Sequence, residues 1–212
     1  MLNNLISIFQ KNQHSLAMTN NFNPGEIVSQ IQLKNDKQII IRYPKWSDLT
    51  GLTKLMNQLS EEKIISYSGE VITREQEMNW LADIFVDMEK GNAVYLLAMH
   101  NDELIGNVSI INSNKNLRLT SHVANFGIAI QKDFRGFGLG FLASKIVIKE
   151  AEKKLKHIQQ IQLNFIGTNT AGLKLYHKLG FKECGRIPKG FLFRGEYVDD
   201  VQMYLDLGEL QL

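Results

Sequence analysis

The chain has one cysteine, three prolines and almost no net charge, and each scarcity removes a class of explanation. Cys184 has no second thiol to join, so an internal disulfide is excluded, and no His/Cys pair stands at zinc-ligand spacing, so no metal site is expected. A reducing, cytoplasmic setting is the simplest reading of that composition. With 24 basic and 22 acidic side chains the formal charge is +2, which gives no sign of a nucleic-acid partner. No apolar run approaches the roughly 18 residues that a membrane span needs, so no membrane partner is expected. The opening stretch MLNNLISIFQKNQ has neither a basic n-region nor a small-residue cleavage site, and it does not read as a secretory signal. At 212 residues there is material for one sizeable core and too little for two full domains.

What is present is periodicity. Residues 1–36 are rich in Asn and Gln, hold no sustained period and contain Asn23-Pro24-Gly25, so they read as a loose extension, with Met18 as an alternative start. From 37 to 207 the chain reads as one domain. QIIIRY (38–43) reads as a strand stopped by Pro44. Ser47 is placed to cap a helix carrying Leu49, Leu52, Met56 and Leu59 on one face. Thr73 and Gln76 have the form of a capping box ahead of the stripe Leu81, Ile84, Phe85, Met88, which ends at Gly91. Three strands follow, at 93–102, 103–112 and 122–130, the first two joined by a tight Asn101-Asp102 turn. A helix from Leu139, a strand at 158–166, a short helix at 170–179 closed by Gly180, and two last strands complete an α+β domain with a mixed sheet.

The unusual stretch is NFGIAIQKDFRGFGLGFLAS (125–144), where Gly136, Gly138 and Gly140 stand at every second position just as the pattern turns helical. Glycine costs about 1 kcal/mol against alanine in a helix, but it lets another group come close to the backbone. A strand, a turn and a helix N-terminus with unpaired N–H groups form an anion cradle, and Arg135 adds a charge at its mouth. A Walker loop is excluded, since GxxxxGK[ST] is absent. Gly138 to Ala143 fits the dinucleotide pattern GxGxxA formally, but it starts eight residues past the strand and no acidic residue ends the next strand.

QKDFRGFGLG (131–140) resembles the pyrophosphate-binding motif of the GCN5-related N-acetyltransferases (GNAT family), Q/R-x-x-G-x-G/A, with Arg135, Gly138 and Gly140 in its defined places. NTAGLKLYHKLGF (169–181) resembles that family's N-x-x-A-x-x-L-Y-x-K-x-G-F segment, with Gly172 where alanine is usual. The resemblance implies a mixed, mostly antiparallel sheet flanked by helices, and acetyl-CoA as co-substrate. It implies that the pantetheine arm lies along Ile128, Ala129 and Ile130, and that the diphosphate sits on the N–H groups of Arg135, Gly136, Phe137, Gly138, Leu139 and Gly140. Tyr176 stands at the family's general-acid position, one place round from the stripe of Ala171, Leu175 and Leu179, and Asn169 at a position that bonds the arm.

The base is not assigned by the resemblance. Many relatives carry a glutamate on the strand that here reads HVANFGIAI, which has no carboxylate. Asn125 could orient a water. His122, with a reference pKa near 6.5, and Glu70, in the loop between the first two helices, are the candidate bases. The expected activity is direct acetyl transfer to a primary amine: a small amine, an amino-acid-like compound, a polyamine or a protein N-terminus. The segment GRIPKGFLFRGEYVDDVQMYL resembles subgroups for several of these and does not separate them. A catalytically silent CoA-binding sensor is the alternative, and self-association as a homodimer is compatible with either.

Overall fold

The computed structural model describes residues 22–62, 71–114 and 116–209. Its centre is set by strands apolar on both faces. β3 (Ala93–His100) is buried along nearly its whole length and pairs with β4 (Glu103–Ile111), so helices must cover it on both sides. Asn101 and Asp102 join the two at φ 48° and 63°, the left-handed pair that a tight two-residue turn requires. β5 (Val123–Ile130) continues the sheet beyond β4, as expected from the sequence.

On the other side of β3 lie β2 (Gln38–Arg42) and then β1 (Ile27–Gln32). β1 falls inside the stretch expected to be a loose extension. Its period is hidden by Ser29, Gln30 and Gln32, and pairing with β2 rather than side-chain burial holds it. Phe22 anchors the same segment, stacked on Phe85 at 5.7 Å and tilted against Tyr43 at 5.5 Å. The ordered domain therefore begins at least 15 residues before the expected boundary at 37. The choice between Met1 and Met18 lies outside the described residues.

α1 (Leu49–Glu61) follows a single 3-10 turn at Trp46–Asp48. Ser47 does not cap it. Asp48 occupies the N-cap and uses its carboxylate elsewhere, accepting from Arg42 at 2.7 Å through both oxygens and from the Lys45 N–H at 2.8 Å. Leu49, Leu52, Leu55 and Leu59 face the core, and each fully buried leucine contributes about 1.5–3 kcal/mol. Met56, expected on that stripe, is turned aside. α2 (Arg74–Glu89) starts on the expected capping box, with Thr73 and Gln76 bonding each other's N–H groups at 3.2 and 2.8 Å.

α3 (Leu139–Lys154) buries Leu139, Ala143, Val147 and Ile148 on the opposite face of the sheet, where the side chains of Ile128 and Ile130 approach Gly140. β6 (Gln160–Ile166), α4 (Thr170–Lys178), β7 (Lys182–Phe193) and β8 (Glu196–Asp206) complete the chain. The sheet order is β1-β2-β3-β4-β5-β6-β8-β7, antiparallel throughout except where β5 meets β6. β7 runs on to Phe193, beyond the expected FKECGRI (181–187), as an edge strand whose polar residues face water and whose register shifts twice. Their tip at Arg194 reaches α1, donating to the Glu62 carbonyl at 3.1 Å. Among the described residues no helix is long and apolar enough to cross a membrane.

Candidate functional site

The parallel contact of β5 with β6 covers only Val123–Gln160, Ala124–Ile161 and Asn125–Gln162. Beyond Asn125, β5 stays with β4 while β6 follows β8, so the strands part and one edge of residues 126–130 is open. An aromatic group fills the base of the wedge: Tyr176 from α4 packs edge-on to Phe165 at 5.1 Å, Phe126 at 6.1 Å and Phe181 at 6.0 Å. Its hydroxyl has no hydrogen-bond partner among the described residues. Burial pushes the phenol up to about 12, so it holds its proton throughout the neutral range.

The glycine loop starts where β5 ends. Gln131 ties it down, its N–H bonding the Ile105 carbonyl at 2.8 Å and its side chain bonding Leu104 and Gln58 at 3.1 Å. After a 3-10 turn at Lys132–Phe134, Gly136 and Gly138 adopt φ 82° and 93°. Nothing lies within 4 Å of where a Cβ would stand on either. The Arg135 N–H bonds Lys132, and the next bonded N–H is that of Leu142, held by Gly138. The N–H groups of residues 136–141 therefore have no partner among the described residues and face open space at the positive end of α3. Unpaired N–H groups at a helix N-terminus are donors of the kind that suit an anion such as a diphosphate.

Two details differ from the sequence reading. Gly140 sits in the first helical turn, where an added Cβ would meet Leu175 Cδ2 at 3.4 Å, an ordinary packing distance, so this glycine faces α4 and not the open space of the loop. Arg135 does not stand free at the mouth. Its Nε donates to the Ile130 carbonyl at 2.7 Å and its Nη1 to Glu62 at 2.6 Å, which braces the loop against both the strand end and α1. Phe137 is partly exposed beside the loop, and Lys178 lies over the neighbouring Phe141 ring at 4.2 Å.

On the sheet face away from α3, a cavity of about 540 Å³ lies between the strands and helices α1 and α2. Cross-strand register builds its floor: Tyr95, Ser109 and Gly127 stand opposite one another on β3, β4 and β5, with Asn107 and Ala129 in the next row. Gly127 keeps the floor low, since a Cβ there would come within 3.0 Å of Ser109 Oγ. Met56, partly buried at the edge of the core, lines it from α1, while Glu77 and Trp80 line it from α2. The backbone of Gly127, Ile128 and Ala129 borders both this cavity and the open edge of β5.

Glu77 is the site residue that sequence reasoning missed. It is 5% exposed, burial raises its pKa above the ordinary carboxylate value, and no hydrogen bond or ion pair reaches it among the described residues. A signal existed: Glu77 lies four residues before Leu81 and so continues the buried stripe of α2, where a carboxylate is out of place.

The predicted residues divide accordingly. Ile128 and Ile130 approach Gly140, and Arg135 holds the Ile130 carbonyl, while Tyr176 packs on Phe126 earlier in the same strand. Asn169 lies at the start of α4, where its side-chain oxygen accepts from the Gly172 N–H at 2.9 Å as an N-cap. Gly172 gives that amide room, because an alanine Cβ would stand 2.7 Å from Asn169 Nδ2. His122 is exposed at the start of β5, about 17 Å from Gly127 at strand rise, and does not line the cavity. Asn125 is exposed beyond the cavity's edge. Glu70 lies outside the described residues.

Comparison with known proteins agrees with this architecture. A sequence model of the acetyltransferase (GNAT) domain matches residues 38–182. No curated protein matches the chain. Among solved structures, a ribosomal-protein-alanine N-acetyltransferase from Brucella melitensis superposes with a TM-score of 0.70 at 21% identity, covering 79% of this chain and 99% of its own. An acetyltransferase of the GNAT family from Streptococcus pneumoniae gives 0.70 at 26% identity over 80% and 99%. The yncA structure from Salmonella typhimurium, solved with its cofactor acetyl-CoA, gives 0.70 at 18% identity over 82% and 96%.

Proposed function

The chain belongs to the GNAT acetyltransferase family, and from that premise we propose that it transfers the acetyl group of acetyl-CoA directly to a primary amine held in the cavity under α2. The chain is an acyltransferase, and acetyl-CoA is its co-substrate. One observation carries the reading of the site: the unpartnered N–H groups of residues 136–141 stand at the end of the strand whose open edge also borders the cavity. Cofactor and acceptor would thus meet at Gly127–Ala129 from different sides.

Each residue then has a physical task. The backbone donors of the glycine loop would hold the diphosphate, and Arg135 would keep the loop in place through Ile130 and Glu62. The open edge of Ile128, Ala129 and Ile130 would bond the pantetheine arm as an added strand. Tyr176, protonated at neutral pH and without an acceptor, would give its proton to the departing thiolate. Asn169 would act through the start of α4, its oxygen being engaged by Gly172. Ribosomal-protein N-acetyltransferases are among the proteins of this shape, and a protein amino terminus is one acceptor to test beside small amines. The single exposed Cys184 suits a reducing cytoplasm.

The test is thiol release from acetyl-CoA across a panel of amines and amino-terminal peptides, with calorimetric binding of acetyl-CoA measured alongside. Tight binding with turnover on at least one amine is expected. Binding without turnover on any amine would make the chain a cofactor-binding module.

A further inference from the structure

The cavity under α2 carries its own information about the acceptor. Among the described residues that line it, Glu77 is the only charged side chain and Tyr95 the only other titratable one. α1 contributes Met56, β4 contributes Asn107, Ser109 and Ile111, and β5 contributes the stretch Gly127–Ala129. Trp80, one turn beyond Glu77, stands edge-on to Tyr95 with ring centroids 4.9 Å apart. The walls are otherwise mostly apolar or aromatic. A carboxylate shut in such a place without a partner is unfavourable unless a ligand brings the opposite charge.

With acetyl transfer as proposed above for its basis, we infer that Glu77 receives the acceptor's ammonium group and takes its proton, and that the acceptor is a small amine with one cationic centre on an apolar or aromatic body. The volume of about 540 Å³ is of small-molecule size. A polyamine would leave its second ammonium against walls that, among the described residues, offer no further counter-charge, whereas an arylalkylamine would set its ring against Trp80 and Met56. Burial of Glu77 raises its proton affinity in the direction a base at neutral pH needs.

The step balances. The ammonium gives one proton to Glu77, and the freed nitrogen forms the C–N bond to the acetyl carbonyl while the C–S bond breaks. Tyr176 protonates the thiolate and regains a proton from the second one the nitrogen sheds. The products are an N-acetyl amide, the coenzyme A thiol and one proton released from Glu77 to water.

The experiment compares wild type, Glu77→Gln and Glu77→Asp with 2-phenylethylamine and spermidine as acceptors. Expected results for Glu77→Gln are unchanged acetyl-CoA affinity, 2-phenylethylamine binding in the presence of coenzyme A weakened at least about tenfold, and kcat lowered on the order of 100-fold. The acid limb of the wild-type pH–rate profile should vanish in Glu77→Gln and return in part in Glu77→Asp. Wild type should use 2-phenylethylamine in preference to spermidine. A folded Glu77→Gln that keeps its turnover and acid limb overturns the role of Glu77, and a preference for spermidine overturns the acceptor class. Failure of acetyl-CoA to bind wild type overturns the transfer reading and this one with it, which separates the two failures.

Discussion

The glycine loop and the cavity under α2 share the end of β5 but are built differently. The loop is one continuous stretch, residues 131–140, and it presents unpartnered backbone N–H groups beside two left-handed glycines. The cavity draws scattered residues from α1, α2, β3, β4 and β5, and apart from Glu77 on its buried stripe they carry little signal at their own places in the chain. A site made of backbone leaves a dense local signature, because only particular residues permit the conformation. A site made of side chains leaves a residue here and there, and its meaning depends on what the fold sets beside it.

Substitutions can test whether the two regions do separate jobs. The largest effect is expected at Tyr176, which packs on Phe126 of the strand that both regions share. Tyr176→Phe should lower kcat on the order of 100-fold with acetyl-CoA affinity kept, as steady-state kinetics and calorimetry would read. Because the hydroxyl has no partner, its removal should leave the melting temperature level or slightly higher. A variant with normal turnover would take Tyr176 out of the chemistry and leave it as wedge packing alone.

Next is Gly138→Val. At φ 93° a branched residue is strained, and its side chain would enter the space in front of the N–H groups. Acetyl-CoA binding should weaken at least about tenfold, or 1.4 kcal/mol, with some loss of stability. Gly138→Ala separates the terms, since it keeps much of the strain and little of the blockage. Equal affinity loss in both variants would mean that loop conformation, not obstruction, sets cofactor binding.

A smaller change belongs to Gly172→Ala. The new Cβ would displace the Asn169 amide and cost the N-cap of α4, about 1 kcal/mol by thermal melts. The KM for acetyl-CoA should rise with it if Asn169 and α4 serve the cofactor side, while the KM for the amine stays put.

The smallest effect concerns stability at Glu77 and gives the cavity a signature that the loop lacks. Its pKa is raised in the folded state, so the native protein holds the proton more tightly than the unfolded chain. Stability from this group is present below about pH 4.5 and is lost as pH rises through the folded value. Glu77→Gln should therefore melt higher than wild type at pH 8, with the gap closing toward pH 4. A constant gap across that range would mean that Glu77 does not titrate in the cavity.

How far the sequence could be read follows the same division. The Thr73–Gln76 capping box, the Asn101-Asp102 turn and Gly180 after α4 all stand where local rules put them, at φ 48°, 63° and 94° for Asn101, Asp102 and Gly180. Those rules involve a residue and its near neighbours, so the chain states them directly. β1 escaped because Ser29, Gln30 and Gln32 break its alternation, and its place depends on hydrogen bonds to β2. Met56 and Leu55 exchanged roles because both suit a helix stripe, and only the packed sheet decides which one faces the core.

By itself the sequence determined most of the elements from β2 onward, the passage of a strand into a glycine loop, and the aromatic and glycine spacing of α4, since each rests on backbone conformation within a few residues. Tertiary structure decided what those elements face. It turned Arg135 from the cradle mouth onto Glu62 and Ile130, made Gly140 a contact for Leu175 and Gly172 a seat for the Asn169 amide, and carried Glu77 beneath a helix into an apolar cavity. Charge and burial are properties of surroundings, and the surroundings of each of these residues come from parts of the chain far from it in sequence or from a fold that turns near neighbours toward one another.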